Sequence, residues 1–528
     1  MANDILEYSR DKIDAEILVL QERIRSLRSA RNTFSLIHCL PPEVMTQIFK
    51  WVQILYCGYL TQGPGAGRAG LLPKWMKVTH VSQRWRNIAF SSKSLYSTIL
   101  TQNLKYSEEM MKLSGSAPLS ILDTVGYNTE GMWDTKELQK LIVAALPRVY
   151  SLYLNEPSWT FLFPHLEKSD LILPLEELYL RSWKSSTPAL FPKSLRYLRL
   201  EWCPFQPSES LSSLCNLVEL SLAPISEGNT IFMDTLLNIL DGMPRLISLE
   251  LSCALASPKQ TNRESPITPT LQYINIRDIP NHITEFLPWL TFAPRFTIDL
   301  SMKSTRSYVP DSAMDWLPPL LEQVGRHLQS SSMIFRTAKL VWDDSNLHRD
   351  AEVLLFEEAE ENLKPCVRLR SLFKKQDLFR ILLEGIEAFP LDNIESLTVD
   401  APLDALDWGK SPWHRIHTLF VLKEQTSSAF LEYLIASAEA QKGRGSGRYT
   451  PFESLKDLSL YDIHYGRDLK SKVQAVLAGR MKRGFKLRKL ALHRCNISED
   501  SIKQLSKVVE VVEQHGEKKK GKKINRST

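Results

Sequence analysis

A leucine-rich pattern of the form LxxLxL recurs along most of the chain and constrains its fold more than any other feature. The ten copies begin at Val149, Leu175, Leu195, Leu217, Leu246, Leu271, Ile394, Ile416, Leu455 and Leu487. The central positions of the first six, 152, 178, 198, 220, 249 and 274, are 26, 20, 22, 29 and 25 residues apart. Apolar residues at alternate positions predict a strand with one buried face. This spacing predicts strands stacked side by side, each followed by a returning segment.

Helix-spaced apolar residues lie between several of these copies. The three clearest stripes are Ile231-Phe232, Leu236-Leu237 and Leu240 before Gly242; Phe430-Leu431, Leu434-Ile435 and Ala438; and Ile502, Leu505, Val508-Val509 and Val512. Each stripe predicts a helix that covers the strands. The last one predicts a helix that caps the array.

This alternation resembles the leucine-rich repeat, which has about 20 to 29 residues per unit and an Asn or Cys after its strand. Cys203 and Cys495 occupy that position, eight residues after Leu195 and Leu487. The resemblance implies an α/β solenoid over residues 101–515, with parallel strands and covering helices.

The pattern fades between about residues 301 and 390. Charged sequence there has a helix-like composition at 351–362 and 378–388. The stretch is either an insertion or a set of degenerate repeats, and the sequence leaves both interpretations open.

Residues between the repeat leucines are expected on the concave surface, where repeat proteins usually bind their partners. These positions include Tyr153, Glu177, Tyr179, Arg181, Tyr197, Arg199, Glu219, Glu250, Tyr273, Asn275 and Arg277. Tyrosine and arginine are enriched at protein interfaces. The candidate substrate-binding residues are therefore Tyr153, Tyr179, Arg181, Tyr197, Arg199, Tyr273 and Arg277. The alternative is that they are ordinary solvated strand positions.

Residues 1–33 have the apolar spacing of a short coiled coil. The seam residues, three and four apart once Arg10 is counted among them, are Leu6, Ile13, Ile17, Leu20, Ile24 and Leu27. About three heptads are enough for a short coiled coil or for docking on a neighbouring surface. Self-association and packing of this helix against its own protein are both open.

Residues 34–100 contain three short motifs in a specific order. Leu40-Pro41-Pro42-Glu43 begins one amphipathic helix, Trp75–Ala89 is predicted as a second that contains Val81-Ser82-Gln83-Arg84-Trp85-Arg86, and Ser91–Tyr96 closes the segment. Proline is tolerated in the first turn of a helix because the missing N–H would be unpaired there anyway. The order of motifs resembles the F-box, particularly in the large fungal group of F-box proteins with C-terminal leucine-rich regions. An unrelated three-helix unit with the same pattern is the alternative.

The F-box resemblance implies a partner and a function. F-box domains bind a Skp-type adaptor and thereby join a cullin–RING ubiquitin ligase of the SCF type. By this resemblance the adaptor-binding residues are Leu40, Pro41, Val44, Ile48, Phe49, Val81 and Trp85, and the repeats bind a protein substrate. The chain is then a substrate receptor and not itself an enzyme. The alternative is a non-catalytic interaction scaffold that acts independently of ubiquitin transfer.

The glycine-rich stretch 62–70 departs from the F-box pattern by lengthening the connection between the two helices. Gly65, Gly67 and Gly70 formally match a dinucleotide-binding fingerprint, but Pro73 follows closely and no acidic residue occurs in 83–92. That fingerprint requires a helix after it and an acid about 20 residues later. We therefore predict a flexible inserted loop.

The formal net charge of +6 is concentrated at the C-terminus. Residues 517–528 contribute +5, which leaves +1 for residues 1–516. A general phosphate-binding surface is therefore not indicated, and nucleic acid is an unlikely partner except through the tail. We predict a disordered tail over 516–528, with Lys518–Lys523 as a weak nuclear-import candidate.

Other features of the composition indicate an intracellular protein. Seven scattered cysteines without a CxxC pair fit reduced thiols. The N-terminus has no apolar signal segment, and no apolar run approaches the ~18 residues of a membrane helix. The expected location is the cytoplasm, the nucleus or both.

No catalytic or cofactor-binding constellation is recognisable. His414 and His417 lack a third metal ligand nearby, and Asp400, Asp404 and Asp407 lack a partner base. The basic stretch 443–448 reads as a loop between repeats. We expect no cofactor and no metal.

Overall fold

The computed structural model of the chain describes residues 2–61, 74–101, 104–123, 136–155, 161–166, 173–181, 191–203, 211, 214–223, 231–256, 264–267, 269–302, 313–343, 350–357, 365–371, 389–400, 415–422, 424–440, 452–461, 467–495 and 497–515. Two compact units make up the chain, Met1–Leu214 and Cys215–Thr528. The glycine-rich stretch, the stretch 443–448 and the basic tail lie outside the described residues.

The first unit begins with helices and continues with strands. Its α-helices are α1 (Ala2–Thr33), α2 (Pro42–Thr61), α3 (Gln83–Ser91), α4 (Leu104–Ser114), α5 (Lys136–Ala145) and α6 (Phe163–Leu166). Short 3₁₀ helices cover Leu36–Cys39, Lys74–His80, Lys93–Tyr96 and Leu146–Arg148. Its strands are β1 (Thr98–Leu100), β2 (Leu119–Leu122), β3 (Val149–Asn155), β4 (Glu177–Arg181) and β5 (Tyr197–Glu201). Each strand pairs in parallel with the next.

The single helix predicted over Trp75–Ala89 is wrong, because the segment is divided at Ser82. A 3₁₀ helix ends at His80, and α3 begins after Ser82, whose backbone is extended. The Ser82 hydroxyl oxygen accepts a hydrogen bond from the Trp85 backbone N–H at 3.2 Å. A serine N-cap of this kind starts a new helix by satisfying a free N–H of its first turn.

The helical segment and the first strands are packed as one body. Leu95 and Tyr96 are fully buried, and the Gln53 side-chain amide donates a hydrogen bond to the Leu95 carbonyl at 3.1 Å. The Ser120 N–H of β2 donates to the Ser97 carbonyl at 2.9 Å. Because of this continuity, the boundary between the compact units lies at Leu214, within the region 101–515.

The second unit alternates strands and helices. Its α-helices are α7 (Met233–Asp241), α8 (Pro280–Phe286), α9 (Ala313–Ser330), α10 (Glu424–Ala440), α11 (Arg467–Lys482) and α12 (Glu499–Leu505). Its strands are β6 (Glu219–Ala223), β7 (Ser248–Ser252), β8 (Thr270–Asp278), β9 (Thr291–Met302), β10 (Thr337–Asp343), β11 (Asp350–Phe356), β12 (Val367–Ser371), β13 (Ser396–Asp400), β14 (Thr418–Val421), β15 (Asp457–Tyr461), β16 (Lys489–His493) and β17 (Val511–His515). Helix α10 contains the predicted stripe at 430–438, and helix α7 contains Leu236, Leu237 and Leu240 of the other. Ile231 and Phe232, which were also assigned to that stripe, precede α7.

The strands of the second unit form a sheet in which one strand runs against the others. Their order is β6-β7-β8-β9-β12-β11-β10-β13-β14-β15-β16-β17. Strand β11 is antiparallel to both of its neighbours, whereas the remaining pairs are parallel. The chain is therefore a mixed α/β protein with mostly parallel strands.

The uncertain region 301–390 contributes strands β10 to β12 to this sheet. The helix-like interpretation of 351–362 is wrong over 351–356, since Asp350–Phe356 is a strand in which Val353, Leu354 and Leu355 are buried. The remainder of that stretch, 358–362, lies outside the described residues. Helical preference of Ala and Glu is weak and yields to burial of consecutive apolar side chains on both faces of the strand. The other helix-like stretch, 378–388, lies outside the described residues.

The predicted burial of the repeat leucines is confirmed. All thirty apolar positions of the ten LxxLxL copies have exposed fractions of 5% or less. The copies are also in register, so that Leu152 pairs with Leu178 and Leu458 with Leu490. Stacked apolar residues of neighbouring strands thus form one face of the sheet in each unit.

The C-terminal cap differs from the prediction. Helix α12 ends at Leu505, and Val512 lies on strand β17, which pairs in parallel with β16. The prediction of one helix through Val512 is therefore wrong. The residues after α12 form β17 instead, and β17 pairs with the outer edge of β16. A paired edge satisfies backbone groups that would otherwise face solvent.

Three strands end in the same turn. Trp202, Cys253 and Arg494 each lie two residues after the last repeat leucine and have positive φ values of 58°, 48° and 53°. The next residues, Cys203 and Cys495 among them, are buried. A left-handed residue turns the chain sharply, which brings the following small side chain under the strand.

Within the described part of the chain, no helix combines the length and the apolar character that a membrane crossing requires.

Candidate partner-binding surfaces

Helix α2 has one buried face and one apolar face that is open to solvent. Met45, Phe49 and Gln53, four residues apart, are buried with exposed fractions of 1%, 0% and 6%. A second stripe at helical spacing, which we call the α2 face, comprises Val44, Ile48, Trp51 and Leu55. An apolar stripe on the side of a helix that does not face the core marks an interaction surface.

The α2 face consists mostly of exposed apolar side chains. Val44, Trp51 and Leu55 have exposed fractions of 43%, 58% and 60%, and Ile48 is half-buried. Val81, in the turn before α3, is exposed as well. Most of the residues that the sequence assigned to adaptor binding are therefore accessible.

Phe49 is the exception among these residues. Its side chain is fully buried, and its ring centroid lies 5.3 Å from that of Trp85. The assignment of Phe49 to a direct contact does not fit this position, because a core ring has no free surface. Trp85 is half-buried and packs on Phe49, so both hold α2 and α3 together.

The residues before α2 are anchored by α3. The Arg84 guanidinium donates a hydrogen bond to the Leu40 carbonyl at 2.6 Å. The Pro41 carbonyl accepts from the Met45 N–H at 3.1 Å and so begins the helix. Leu40 is half-buried and Pro41 is exposed.

The second surface is formed by strands β3, β4 and β5. Its members, which we call the β3–β5 cluster, are Tyr153, Tyr179, Arg181, Arg199, Glu201 and Trp202. The rings of Tyr153 and Tyr179 are stacked with centroids 3.7 Å apart. They meet because Tyr153 and Tyr179 occupy paired positions on adjacent parallel strands.

Glu201 is the centre of the β3–β5 cluster. It accepts hydrogen bonds from the Tyr179 hydroxyl at 2.6 Å and from Arg199 Nε at 2.9 Å and Nη2 at 2.6 Å. Arg181 Nε lies 3.6 Å from Glu201 Oε2. One largely buried carboxylate thus fixes two guanidinium groups and a phenol.

The arginines of the β3–β5 cluster also lie over aromatic rings. The Arg199 guanidinium is 5.4 Å from the ring centre of Tyr179, and that of Arg181 is 5.2 Å from the ring of Trp202. These distances are within the range of cation–π attraction. The Arg199 side chain is half exposed and therefore remains accessible to a partner.

Both tyrosines of the β3–β5 cluster have raised pKa values. Burial raises the pKa of Tyr179, and the hydrogen bond to Glu201 raises this pKa further. Burial is also the main cause of the raised pKa of Tyr153. The phenols are therefore fixed uncharged surfaces over the physiological pH range.

Tyr197 lies on the same face of β5 but outside the cluster. It pairs with Glu177 of β4, and the Arg196 guanidinium lies 5.8 Å from its ring centre. Its exposed fraction of 36% makes it available for contact.

The third surface lies in the second unit, on strands β6 to β9, β11 and β12. The Ser221 hydroxyl donates to Glu250 Oε2 at 3.1 Å, and Arg368 Nη1 lies 3.6 Å from Asp299 Oδ2. Arg370 of β12 forms a hydrogen-bonded ion pair with Glu352 of β11. The strand register places these side chains in two rows that run across the strands on one face of the sheet.

The candidate residues on β8 belong to this third surface. Tyr273 and Asn275 are half-buried and Arg277 is exposed. Burial, and then the charges of Glu250 and Asp299, raise the pKa of Tyr273. Burial also raises the pKa of Asp299 despite the opposing charge of Arg368.

Several residues of these surfaces were not among the candidates from the sequence. Glu201 follows the same outward alternation as Tyr197 and Arg199, so extending that alternation by one step finds it. The partners on β11 and β12, Glu352, Arg368 and Arg370, belong to strands that carry no LxxLxL signal. They could not be found from the repeat pattern.

The described residues bring together no group of three or more His, Cys, Asp or Glu side chains that could hold a metal ion. His417 is exposed, and His414 lies outside the described residues.

The chain matches no protein-family model, and no curated protein resembles it closely enough to count as a relative.

Proposed function

We propose that the chain is the substrate-recognition subunit of an SCF-type cullin–RING E3 ubiquitin ligase. In this proposal residues 34–100 are an F-box that binds a Skp-type adaptor, and the repeats bind a protein substrate. The chain performs no bond chemistry. It holds a substrate near the ubiquitin-charged E2, which raises the effective concentration of the two reactants.

The observation that carries the adaptor part is the α2 face. Its four apolar side chains follow the proline-containing start of α2, where the F-box resemblance implies adaptor contacts. Trp51 and Leu55 are more than half exposed. Burial of such side chains contributes about 25 cal/mol per Å² of apolar surface removed from water. A partner that covers this face gives a stable complex.

The assignment of the strands to leucine-rich repeats is supported by in-register stacking and by the two cysteines. Cys203 Sγ lies 3.5 Å from the Leu180 carbonyl oxygen of the preceding strand and 3.3 Å from that of Glu201. Cys495 Sγ repeats this arrangement with contacts of 3.7 and 3.4 Å. A buried side chain that bridges successive turns fits the Asn/Cys position of the repeat.

The adaptor part is tested by pull-down of a purified Skp-type adaptor with the full chain. We expect Val44→Asp/Trp51→Asp to reduce binding by about 100-fold or more, because it places two charges in an apolar interface. Both residues are exposed, so the fold is retained. A Trp85→Ala change is less suitable, since it removes the ring that packs on buried Phe49.

Ile334→Asp is the matched control. Ile334 is 54% exposed, comparable with Trp51 at 58%, and lies between α9 and β10. The control is expected to bind the adaptor like the wild type. If the wild type does not bind the adaptor at all, the ligase proposal fails.

The substrate part is tested by affinity mass spectrometry with the Val44→Asp/Trp51→Asp variant. We expect it to lose adaptor and cullin while it retains and accumulates substrates. Substrates whose abundance does not change would instead favour an interaction scaffold that acts without ubiquitin transfer.

The place of action remains part of the proposal. A ligase of this type works in the cytoplasm or nucleus, and Lys518–Lys523 of the basic tail is the candidate import signal.

A further inference from the structure

Helix α1 presents an apolar seam that the rest of its unit does not cover. Among its described side chains, the seam residues and their exposed fractions are Ile13 58%, Ile17 44%, Leu20 55%, Ile24 48% and Leu27 58%. The helix has 32 residues and is about 48 Å long at 1.5 Å per residue. A seam of this length is stable in water only when another surface covers it.

The spacing of the seam defines heptad positions. Arg10, Ile17, Ile24 and Arg31 take the position called a, and Ile13, Leu20 and Leu27 take the position called d. Residues flanking this seam, at positions e and g, set the partner and the orientation in coiled coils. Here the g residues include Glu16 and Arg23, and the e residues include Arg28.

We propose that α1 pairs with α1 of a second copy of this chain in an antiparallel coiled coil. Ile17 then faces Leu20 of the second copy, and Ile13 faces Ile24 of the second copy. The arrangement is a two-fold dimer, in which each contact occurs twice.

The charges of the flanking positions favour the antiparallel orientation. In this pairing g positions face g positions, so Glu16 lies beside Arg23 of the second copy and Arg23 beside Glu16 of the second copy. In a parallel pair, Arg23 instead lies beside Arg28 of the second copy. A parallel pair also places Arg10 against Arg10 of the second copy within the core. Like charges in these places are destabilising.

The charges also select the register. Sliding one helix by a heptad in one direction places Arg23 against Arg23 of the second copy at the two-fold axis. Sliding it in the other direction places Glu16 against Glu16 of the second copy. The register that faces Ile17 with Leu20 avoids both repulsions and keeps the apolar residues central.

The side of α1 away from the seam carries an ion pair within the helix. Arg25 Nη1 pairs with Glu22 Oε2 at 3.0 Å, and both side chains are about 70% exposed. Because Arg25 and Glu22 pair with each other within the helix, they do not compete with Arg23 and Glu16 for ion pairs beside the seam.

Sedimentation equilibrium of the full-length protein tests the pairing. We expect a concentration-dependent dimer for the wild type and a monomer for Ile17→Asp/Ile24→Asp, since each charge enters the core twice. The matched control is Leu18→Asp, which changes a residue that is 65% exposed but lies off the seam. It is expected to dimerise like the wild type.

A charge exchange tests the orientation. Arg23→Glu places a second carboxylate beside Glu16 of the other copy in the antiparallel dimer, and this repulsion is expected to weaken the dimer about ten-fold. The double change Glu16→Arg/Arg23→Glu restores the attraction and the wild-type dissociation constant. In a parallel dimer, Arg23→Glu would relieve repulsion by Arg28 and strengthen association.

Three results would overturn the proposal. They are a wild-type monomer at all concentrations, a dimer that Ile17→Asp/Ile24→Asp leaves intact, and a dimer that Arg23→Glu strengthens. Circular dichroism of each variant checks that the remainder of the chain stays folded, so that loss of the dimer reports on the seam.

Discussion

Strands β3 and β4 carry one aromatic stack and strands β15 to β17 carry another, but the two stacks differ in what surrounds them. Tyr153 and Tyr179 stack at 3.7 Å between ring centroids. At the other end of the sequence, Tyr461 stacks on His493 at 4.1 Å, and His493 on His515 at 4.7 Å. In both places, in-register strands bring equivalent side chains face to face.

The carboxylates beside the two stacks differ in burial. The Glu201 side chain is only 13% exposed and holds Tyr179, Arg199 and Arg181. Glu513 is 35% exposed, and its partners are Lys489 Nζ at 2.8 Å and His515 Nε2 at 3.0 Å. The Glu201 carboxylate is held between two arginines. Glu513 instead lies beside two imidazoles, and burial, followed by the neighbouring His515, lowers the pKa of one of them, His493. Two stacks with similar ring geometry thus differ in chemistry. The first is a rigid surface of phenols, whereas the second contains imidazoles, which can gain a proton.

The largest expected effect tests the rigidity of the first stack. Glu201→Ala leaves two guanidinium groups and the Tyr179 hydroxyl without their shared acceptor. We expect a loss of about 2 to 4 kcal/mol in the free energy of unfolding, because breaking a largely buried ion pair strands its partners. Urea unfolding followed by tyrosine and tryptophan fluorescence measures it.

The matched control for this change is Glu176→Ala. Glu176 pairs with Arg196 at 3.8 Å, and both side chains are about half exposed. Such surface pairs contribute about 0 to 1 kcal/mol. Equal losses for the two variants would contradict the view that Glu201 organises the cluster.

A smaller effect is expected from the phenol alone. Tyr179→Phe keeps the stacked ring and removes the hydroxyl that donates to Glu201 at 2.6 Å. A hydrogen bond to a charged group contributes about 1.5 to 3 kcal/mol, and the two arginines that remain on Glu201 reduce the loss to about 1.5 kcal/mol. Tyr197→Phe, on the same face but 36% exposed, is the control and is expected to change the unfolding midpoint very little. A loss as large as that of Glu201→Ala would mean that the arginines contribute nothing.

The first stack could largely be predicted from the sequence, and the second could not. Tyr153 and Tyr179 alternate with repeat leucines, whose burial the local spacing predicts. The sequence therefore places both tyrosines on the opposite face of their strands. His493 and His515 were missed because β17 was expected to be helical. The apolar residues Val508, Val509 and Val512 continue the period of α12, and periodicity cannot tell where a helix stops.

Strands β10 to β12 show a second limit of the sequence. Pairing of β12 with β9 joins residues 367–371 to 298–302, far apart along the chain. An order of strands that departs from the order of the sequence leaves no periodic signal. The charged residues that line this part of the sheet, such as Arg368 and Asp299, became visible only through that pairing.

The smallest expected effect concerns pH and separates the two stacks directly. Burial, and then the neighbouring His515, lower the pKa of His493. Besides His515, the charged groups beside it are Glu513, Lys489 and Arg494, of which only Glu513 favours its protonation.

As pH falls through the ordinary histidine pKa of about 6.5, the unfolded chain takes up a proton at this position and the folded chain does not. The stabilisation is therefore complete above that pH and is lost toward the lower folded pKa. Because His493 is only half-buried, we expect less than about 1 kcal/mol. His493→Phe keeps a stacking ring and should remove this part of the pH dependence, which begins as pH falls below about 6.5. His515→Phe should raise the pKa of His493, measured by NMR titration of its imidazole, since it removes the like charge. A His493 pKa that stays the same in His515→Phe would show that the two imidazoles do not interact, and burial alone would then account for the lowered pKa.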